Sequence, residues 1–223
     1  MKIAELFYSI QGEGMLAGVP SVFIRTSGCN LRCVWCDTPY TSWQPEGAEQ
    51  SIATILDFVE EHSRGYVVVT GGEPMIAPAI VELTKGLREM SQHITIETAG
   101  TVDAPVECDL MSISPKLANS TPEGNWAAQH ERLRLNHEVL KRLTSDYEFQ
   151  LKFVVAAAED IEEIRPIAAA LSAPPNRVLL MPEGTDAAKL CERAQWIAEI
   201  CKREGWRYCP RLHVDLWGAR RGT

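Results

Sequence analysis

The sequence has no long hydrophobic run. A helix that crosses a membrane needs about 20 consecutive apolar residues, and none of the apolar stretches approaches that length. The N-terminal segment from Met1 to Tyr8 carries Glu5 within its only apolar stretch, so it lacks the apolar core of a secretion signal. We therefore expect a cytoplasmic protein that does not associate with a membrane.

Positive charge is also in short supply. The chain has 22 lysines and arginines against 30 aspartates and glutamates, which gives a formal net charge of -8 at pH 7. A surface built to neutralise nucleic-acid phosphates or anionic lipid carries the opposite balance. The composition thus argues against nucleic acid as a partner and favours a small-molecule substrate.

The cysteines do not suggest a disulfide framework. There are seven, an odd number, and no export signal accompanies them. Cys108, Cys191, Cys201 and Cys209 are scattered without ligand spacing, and we interpret them as small apolar core or surface residues. The other three cysteines lie close together and form the most distinctive stretch of the chain.

Cys29, Cys33 and Cys36 lie in a polar stretch too short to be a buried helix or strand, so their thiols can point at one small volume. Thiolates are the ligands of iron-sulfur clusters, and three of them leave one iron of a four-iron cluster open to an exogenous chelator such as an amino acid. Two alternatives stay open. The loop could hold a structural zinc ion with Cys209 or His213 as fourth ligand, or the thiols could bind nothing.

Hydrophobic periodicity predicts an α/β fold. Six strands counted from Pro20 mostly alternate with helices, which is typical of successive βαβ units. The connection over 99–109 is too short for a crossover helix, so we predict that one helix is missing. An open partial (β/α)6 barrel satisfies this count, and a doubly wound open sheet is the alternative. The predicted strands span 2–10, 20–26, 66–70, 93–98, 109–114, 148–155 and 177–181, and the closing segment 208–216 is strand-like. The predicted helices run from Ser51 to Gly65 and over 80–90, 133–143, 160–171 and 186–204.

The chain shows no internal repeat, low-complexity stretch or second domain. We therefore predict a single domain over residues 1–223. Within it, residues 1–19 form an N-terminal strand and a glycine-containing loop, and residues 205–223 form a closing segment.

Polar motifs follow the predicted strands directly. In α/β folds of both kinds, functional groups gather at the carboxyl ends of the strands. We therefore expect these motifs to converge on one edge of the sheet. They are the cysteine loop, Gly71-Gly-Glu73, Glu97, Ser114-Pro-Lys116 and the segment from Met181 to Gly184.

The Cys-x3-Cys-x2-Cys spacing resembles the signature of radical S-adenosylmethionine (SAM) enzymes, in which SAM chelates the open iron of a [4Fe-4S] cluster and is cleaved to a 5'-deoxyadenosyl radical. The segment from Gly71 to Pro74 resembles the motif that binds the SAM amino group in that superfamily; its glycines let the backbone come close and Glu73 is an acceptor. Over most of its length the chain resembles the 7-carboxy-7-deazaguanine synthase family. The matching pieces are 7–14, 23–25, 36–38, 70–74, 97–98, 114–116, 151–154 and the ending around His213.

The resemblance implies a partial (β/α)6 barrel and a specific reaction. The implied enzyme is a carbon-nitrogen lyase that converts 6-carboxy-5,6,7,8-tetrahydropterin to 7-carboxy-7-deazaguanine with release of ammonia, in queuosine and 7-deazapurine biosynthesis. SAM is regenerated in each turnover, and Mg2+ is required. The substrate carries a carboxylate at the carbon that loses hydrogen, so Arg25 and a hard cation are chemically suitable partners.

The resemblance also implies roles for individual residues. Cys29, Cys33 and Cys36 would hold the cluster, and Thr38 would bind Mg2+ together with substrate oxygens and water. Glu97 and Lys152 are assigned no role. The implied SAM-binding residues are Trp35, Cys36, Asp37, Gly72, Glu73, Ser114, Pro115, Lys116, Met181, Pro182, Glu183 and Gly184, and the implied pterin-binding residues are Ile10, Gln11, Gly12, Glu13, Arg25, Thr70 and His213.

Partners follow from the same resemblance. The reaction needs an electron donor, a reductase, flavodoxin or ferredoxin, and Arg220-Arg221 is a candidate basic patch for docking it. A homodimer is expected because a truncated barrel leaves apolar surface to cover. Two rival functions stay open: another radical SAM enzyme such as a glycyl-radical activase, and a non-catalytic metal-binding module.

Overall fold

A single nine-stranded sheet organises the chain in the computed structural model, which describes all 223 residues. Its order is β3-β1-β2-β4-β5-β6-β7-β8-β9. Strands β2 and β4 to β9 are parallel, whereas β1 is antiparallel to both β2 and β3. The strands are β1 (Lys2–Ile10), β2 (Pro20–Thr26), β3 (Ala48–Glu49), β4 (Tyr66–Gly71), β5 (His93–Thr98), β6 (Leu110–Ile113), β7 (Phe149–Val155), β8 (Val178–Pro182) and β9 (Arg207–Tyr208).

Eight α-helices accompany the sheet, and none is long and apolar enough to span a membrane. Local signals define the ends of the longer ones. The Ser51 hydroxyl accepts the Thr54 backbone N–H at 3.0 Å, and Gly205, at φ 72°, ends the longest helix. The helices are α1 (Pro39–Ser42), α2 (Ile52–His62), α3 (Ile80–Glu89), α4 (Ala127–Leu133), α5 (His137–Asp146), α6 (Ile161–Ala170), α7 (Ala187–Glu204) and α8 (Leu212–Trp217).

The parallel strands confirm the predicted α/β class and decide between its two versions. From β2 to β8 the spatial order follows the chain order, without the reversal that defines a doubly wound sheet. The doubly wound alternative is therefore wrong. No helix separates β5 from β6, as predicted from the short connection, and the Asp109 carboxylate there accepts the Ile94 N–H at 2.7 Å.

Three predicted elements differ from the structure. The helix predicted over 133–143 begins only at His137, as α5, because Asn136 caps the Val139 N–H at 3.3 Å, and α4 precedes it as a separate helix. Helix α2 ends at His62, and Gly65, at φ 103°, belongs to the turn into β4. The predicted strand over 208–216 is the short β9 followed by helix α8, and Pro210 between them lacks the N–H that a continuing ladder needs.

The two faces of the sheet differ in polarity, and β7 shows why. Leu151, Phe153 and Val155 point into the main apolar core beneath the helices. Lys152 and Val154 alternate with them and line a cavity on the opposite face. The strand pattern therefore places apolar residues against the helices and reserves the concave face for a functional site.

Candidate active site

A cavity of about 420 Å3 opens at the carboxyl ends of the parallel strands, beside the cysteine loop. Its volume is in the ordinary range of small-molecule sites. Most of the predicted site residues line it, so the expected convergence on one edge of the sheet is observed. The predicted residues that line it are Ile10, Gln11, Gly12, Glu13, Arg25, Cys29, Cys33, Trp35, Cys36, Asp37, Thr38, Thr70, Gly72, Ser114, Lys116, Met181 and His213.

The three thiols of the cysteine loop are free and line the same cavity. Burial raises the pKa of Cys29 to about 11 and that of Cys33 to about 12, so these thiols are protonated until a metal replaces the proton. No three acidic, histidine or cysteine side chains converge on the position of a single ion. A four-iron cluster takes each thiolate on a different iron, so this donor set fits such a cluster.

The glycine loop after β4 packs directly against the cysteine loop. The Glu73 N–H donates to the Gly28 carbonyl at 2.9 Å. A Cβ at position 72 would lie 2.2 Å from the Gly28 carbonyl oxygen and 2.7 Å from the Cys29 Cβ. Glycine at position 72 is therefore needed for the two loops to approach each other.

Glu73 itself lies outside the cavity and is fully buried. Its carboxylate accepts the Thr98 hydroxyl at 2.8 Å and the backbone N–H groups of Ala99 and Met75 at 2.8 and 3.1 Å. Burial raises its pKa despite these hydrogen bonds. The carboxylate thus joins the ends of β4 and β5, and its predicted role in SAM binding stays a prediction.

A buried histidine, not predicted from the sequence, supports the other side of the cysteine loop. The Arg32 backbone N–H donates to His130 Nδ1 at 3.1 Å, so Nδ1 is the unprotonated nitrogen and Nε2 carries the hydrogen. His130 Nε2 is 2.9 Å from the Ser120 hydroxyl, which donates to the Leu117 carbonyl at 2.6 Å. This chain of hydrogen bonds positions the backbone between Cys29 and Cys33.

One wall of the cavity combines an indole and an ammonium group. The Trp35 indole N–H donates to the Asn119 carbonyl at 2.9 Å, which orients the ring. Lys116 Nζ lies 5.8 Å from the Trp35 ring centroid and donates to the Ser114 hydroxyl at 2.7 Å. These groups come from the segments predicted to contact SAM.

A network of charged side chains forms the opposite wall. Lys152 is 5% exposed and contacts Glu13, and its Nζ lies 3.7 Å from Glu97 Oε1. The other donors to Glu97 are the Gln11 amide at 3.2 Å and the Thr70 hydroxyl at 2.9 Å. Glu97 and Lys152, left without a role by the sequence, therefore connect three of the predicted pterin-binding residues.

The charges in this network stabilise each other. Burial by itself would raise the pKa of Glu13, but Lys152 and Arg211 outweigh it and hold that pKa well below the usual carboxyl range. Burial would lower the pKa of Lys152, but Glu13 and Glu97 raise it above the ordinary value. Glu13 and Lys152 are therefore both charged at neutral pH.

Arg211 is a site residue that the sequence analysis missed. Its guanidinium is 7% exposed, lines the cavity and contacts both Glu13 and Asp37. The only sequence signal was its position two residues before His213, in a segment predicted to be a strand.

His213 lies on α8 and stands against the loop that follows β1. A Cβ at Gly12 would be 2.0 Å from His213 Nδ1, so only glycine at position 12 leaves room for the imidazole. Burial lowers the pKa of His213, which is therefore neutral at pH 7. The prediction that His213 lies on a strand is wrong, whereas its place beside Gly12 agrees with the predicted grouping.

Arg25 and Thr38 occupy neighbouring parts of the wall. Arg25 Nε lies 2.7 Å from Glu5 Oε2, which also accepts the Tyr40 hydroxyl at 2.8 Å. Despite this short distance Nε has no hydrogen-bond partner, so the contact is an ion pair, and the Arg25 side chain lines the cavity. Thr38, just before α1, lines the cavity as well, and the Thr41 hydroxyl donates to its carbonyl at 2.9 Å.

Four more predicted SAM-binding residues do not line the cavity. The Glu183 carboxylate is paired with Arg193, and the Gly184 carbonyl accepts from Arg211 at 2.6 Å. The backbone of this segment therefore supports the wall indirectly. The four residues are Pro115, Pro182, Glu183 and Gly184, and their role in SAM binding stays a prediction.

Cys209 is engaged apart from the cysteine loop. Its sulfur accepts the Gly14 N–H at 3.0 Å, and its side chain packs with Val154, Leu179 and Met181. This placement agrees with the interpretation of Cys209 as a core residue and gives no support to it as the fourth ligand of a zinc ion.

Comparisons with known proteins agree with this geometry. Residues 23–116 match the Radical SAM superfamily. The chain is 46% identical to the 7-carboxy-7-deazaguanine synthase of Rhodopirellula baltica, covering 99% of this chain and 88% of the relative. It is 46% identical to the 7-carboxy-7-deazaguanine synthase of Halobacterium salinarum, with 97% and 90% covered. The crystal structure of QueE from Escherichia coli superposes with a TM-score of 0.70 at 26% identity, covering 93% of this chain and 92% of that one.

The matches confirm the predicted superfamily, the partial-barrel fold and the pair of cofactors that the superfamily implies, a [4Fe-4S] cluster and SAM. They favour neither a glycyl-radical activase nor a non-catalytic metal-binding module. The sequence, the fold and the three thiols that line one cavity therefore lead to one conclusion: this chain belongs to the 7-carboxy-7-deazaguanine synthase family of radical SAM enzymes.

Proposed function

We propose that this chain converts 6-carboxy-5,6,7,8-tetrahydropterin to 7-carboxy-7-deazaguanine with release of ammonia, and that the reaction requires Mg2+. The observation that carries the proposal is one cavity lined by the three cysteines and by the implied pterin-binding residues. The relatives named 7-carboxy-7-deazaguanine synthase, which this chain matches over nearly its whole length, support it. When bound, the cluster and SAM supply a 5'-deoxyadenosyl radical that takes a hydrogen atom from the substrate.

The side chains of the cavity suit a carboxylated pterin. The guanidinium of Arg25, ion-paired with Glu5, lines the cavity and is available for the substrate carboxylate. The Thr38 hydroxyl is the proposed protein ligand of Mg2+, with substrate oxygens and water completing the shell. Gln11 and Thr70, both donors to Glu97, form a polar edge against which the heterocycle can be oriented.

The proposal extends to the setting of the enzyme. We infer a single domain over residues 1–223, a cytoplasmic location and a homodimer, and we infer a reductase, flavodoxin or ferredoxin as electron donor. Arg221 packs over the Tyr40 ring at 3.5 Å and pairs with Glu46 at 3.0 Å. Arg221 is thus already paired within the chain, so an electron donor that docks on Arg220-Arg221 would bind beside these contacts or replace them.

The test is anaerobic reconstitution with iron and sulfide, followed by assay with SAM, reductant, Mg2+ and 6-carboxytetrahydropterin. Mass spectrometry follows 7-carboxy-7-deazaguanine. We expect product with the wild-type protein, none with C33A, and a requirement for more Mg2+ with T38V. SAM cleavage without product would keep the superfamily chemistry and reject this substrate.

The variant R25Q tests the proposed carboxylate contact. Loss of a charge-assisted hydrogen bond of about 1.5–3 kcal/mol predicts a roughly 10- to 150-fold fall in kcat/KM for the pterin. The matched control is R165Q, because Arg165 also pairs with glutamates but lies on the helical surface. Equal kinetics in R25Q and R165Q would contradict the assignment of Arg25.

A further inference from the structure

Arg211 occupies the position between the proposed pterin-binding and SAM-binding parts of the cavity. It is the residue before α8, and its side chain is 7% exposed. Water therefore has little access to the guanidinium, and protein groups must satisfy its N–H donors.

Three separate segments of the chain share this one guanidinium. Nε donates to Glu13 Oε1 at 3.0 Å, in the loop after β1. Nη1 donates to the Gly184 carbonyl at 2.6 Å, after β8. Nη2 donates to Asp37 Oδ2, in the residue that follows Cys36. A planar fork with fixed donor directions holds these three groups in one relative arrangement.

The two carboxylates bound to Arg211 differ in their other contacts. Glu13 is 13% exposed in its side chain and also contacts Lys152, so it is held between two cations. Asp37 is 42% exposed in its side chain, and Arg211 is its salt-bridge partner. Arg211 therefore links the position of Asp37, which follows the cysteine loop, to the position of Glu13.

We propose that Arg211 couples occupancy of the pterin site to occupancy of the SAM site. The inference rests on the proposed function, because that function places the pterin beside Glu13 and SAM beside Asp37 and the segment ending at Gly184. Each ligand orders a group that the guanidinium also holds, so the first ligand to bind prepares the arrangement that the second requires. Thermodynamic linkage makes the effect reciprocal.

The measurable quantity is the ratio of the SAM dissociation constants without and with the pterin. We expect a ratio of about 5 or more in the wild-type holoenzyme, within the usual range of coupling between two sites. In R211Q the ratio falls to about 1, because a neutral amide cannot bridge two carboxylates and a carbonyl. In R211K an intermediate ratio is expected, because an ammonium keeps the charge but not the fork.

The experiment is anaerobic isothermal titration calorimetry of the reconstituted holoenzyme with SAM, with the cluster left oxidised so that no turnover occurs. Each titration is made with and without 6-carboxytetrahydropterin. The matched control is R193Q. Arg193 contacts only the SAM-side segment, through the Glu183 carbonyl and carboxylate, so R193Q changes SAM affinity without changing the ratio.

A second variant keeps the proposal testable if R211Q does not fold. D37N leaves the guanidinium in place and weakens its SAM-side contact, so its ratio also falls toward about 1. A ratio near 1 in the wild-type enzyme, or an unchanged ratio in R211Q or D37N, overturns the coupling role. These outcomes test the coupling alone. The proposed function fails by a different result, the absence of 7-carboxy-7-deazaguanine from assays of the wild-type enzyme.

Discussion

Lys152 provides a sharp test of the charge network in the cavity wall. The change K152M keeps most of the side-chain volume and removes the ammonium group. In the wild-type protein this group contacts Glu13 and lies 3.7 Å from Glu97 Oε1, at 5% residue exposure. The variant therefore leaves two carboxylates without the cation that they share.

The expected loss of stability is large for a single substitution. Breaking a buried ion pair by removing one partner destabilises a protein by about 3–5 kcal/mol. The lower end, about 3 kcal/mol, applies here because Glu13 keeps its contact with Arg211. For a chain of this size each kcal/mol lowers Tm by about 2–4 °C, so K152M should melt about 6–12 °C below the wild-type protein.

The matched control is an exposed lysine–glutamate pair on α7. Lys202 Nζ lies 2.8 Å from Glu199 Oε2, and both side chains are more than two thirds exposed. K202M should lower Tm by about 4 °C or less, because exposed pairs contribute about 0–1 kcal/mol. Reconstituted holoenzymes are compared by anaerobic scanning calorimetry at one scan rate, since cluster loss can make unfolding irreversible.

The effect of K152M should also depend on pH. The depressed pKa of wild-type Glu13 means that its stabilising contribution is present above the unfolded-state pKa of about 4.3 and is lost as pH falls through the folded-state value. In K152M the Glu13 pKa rises, so the folded variant takes up a proton at higher pH. The Tm difference between K152M and the wild-type protein should therefore shrink as pH falls from neutrality toward the unfolded-state pKa of about 4.3.

Two results would refute this reasoning. One is a Tm of K152M within about 2 °C of K202M, which would show that the buried network contributes no more than an exposed pair. The other concerns the double variant E13Q/K152M. Its loss of stability should be smaller than the sum of the losses in the two single variants, because it removes a buried carboxylate that K152M deprives of one of its two cations. A loss larger than that sum would contradict this account.

Three further predictions follow from the contacts around the cavity. G12A should lower kcat/KM about 100-fold by displacing His213, whereas G86A, in a helix beside a flexible leucine, should leave it unchanged. H130L should destabilise the protein by about 1–3 kcal/mol and lower the iron retained per chain after desalting, because the Arg32 N–H loses its acceptor; full iron retention would contradict this. Because burial lowers the pKa of His213, a pH profile of kcat/KM should be flat near neutrality and fall only below about pH 6.5, and H213Q should lack that fall.

The sequence alone determined much of the fold because its signals are local. The strand patterns up to β8, the Ser51 cap and the short connection over 99–109 depend on neighbouring residues, and the structure confirms all of these. The cysteine motif is equally local, since its spacing alone indicated that the three thiols would line one cavity. The position of the site followed from a general rule, that parallel strands present their carboxyl ends at one edge.

The tertiary structure decided which charged side chains meet. Glu13, Glu97, Lys152 and Arg211 come from four distant segments, and each was an ordinary charged residue in the sequence. It also decided that the Glu73 carboxylate accepts hydrogen bonds from Thr98 and Ala99, which the sequence motif does not indicate. Contacts between segments far apart in the chain depend on strand order and burial, which no local pattern of residues specifies.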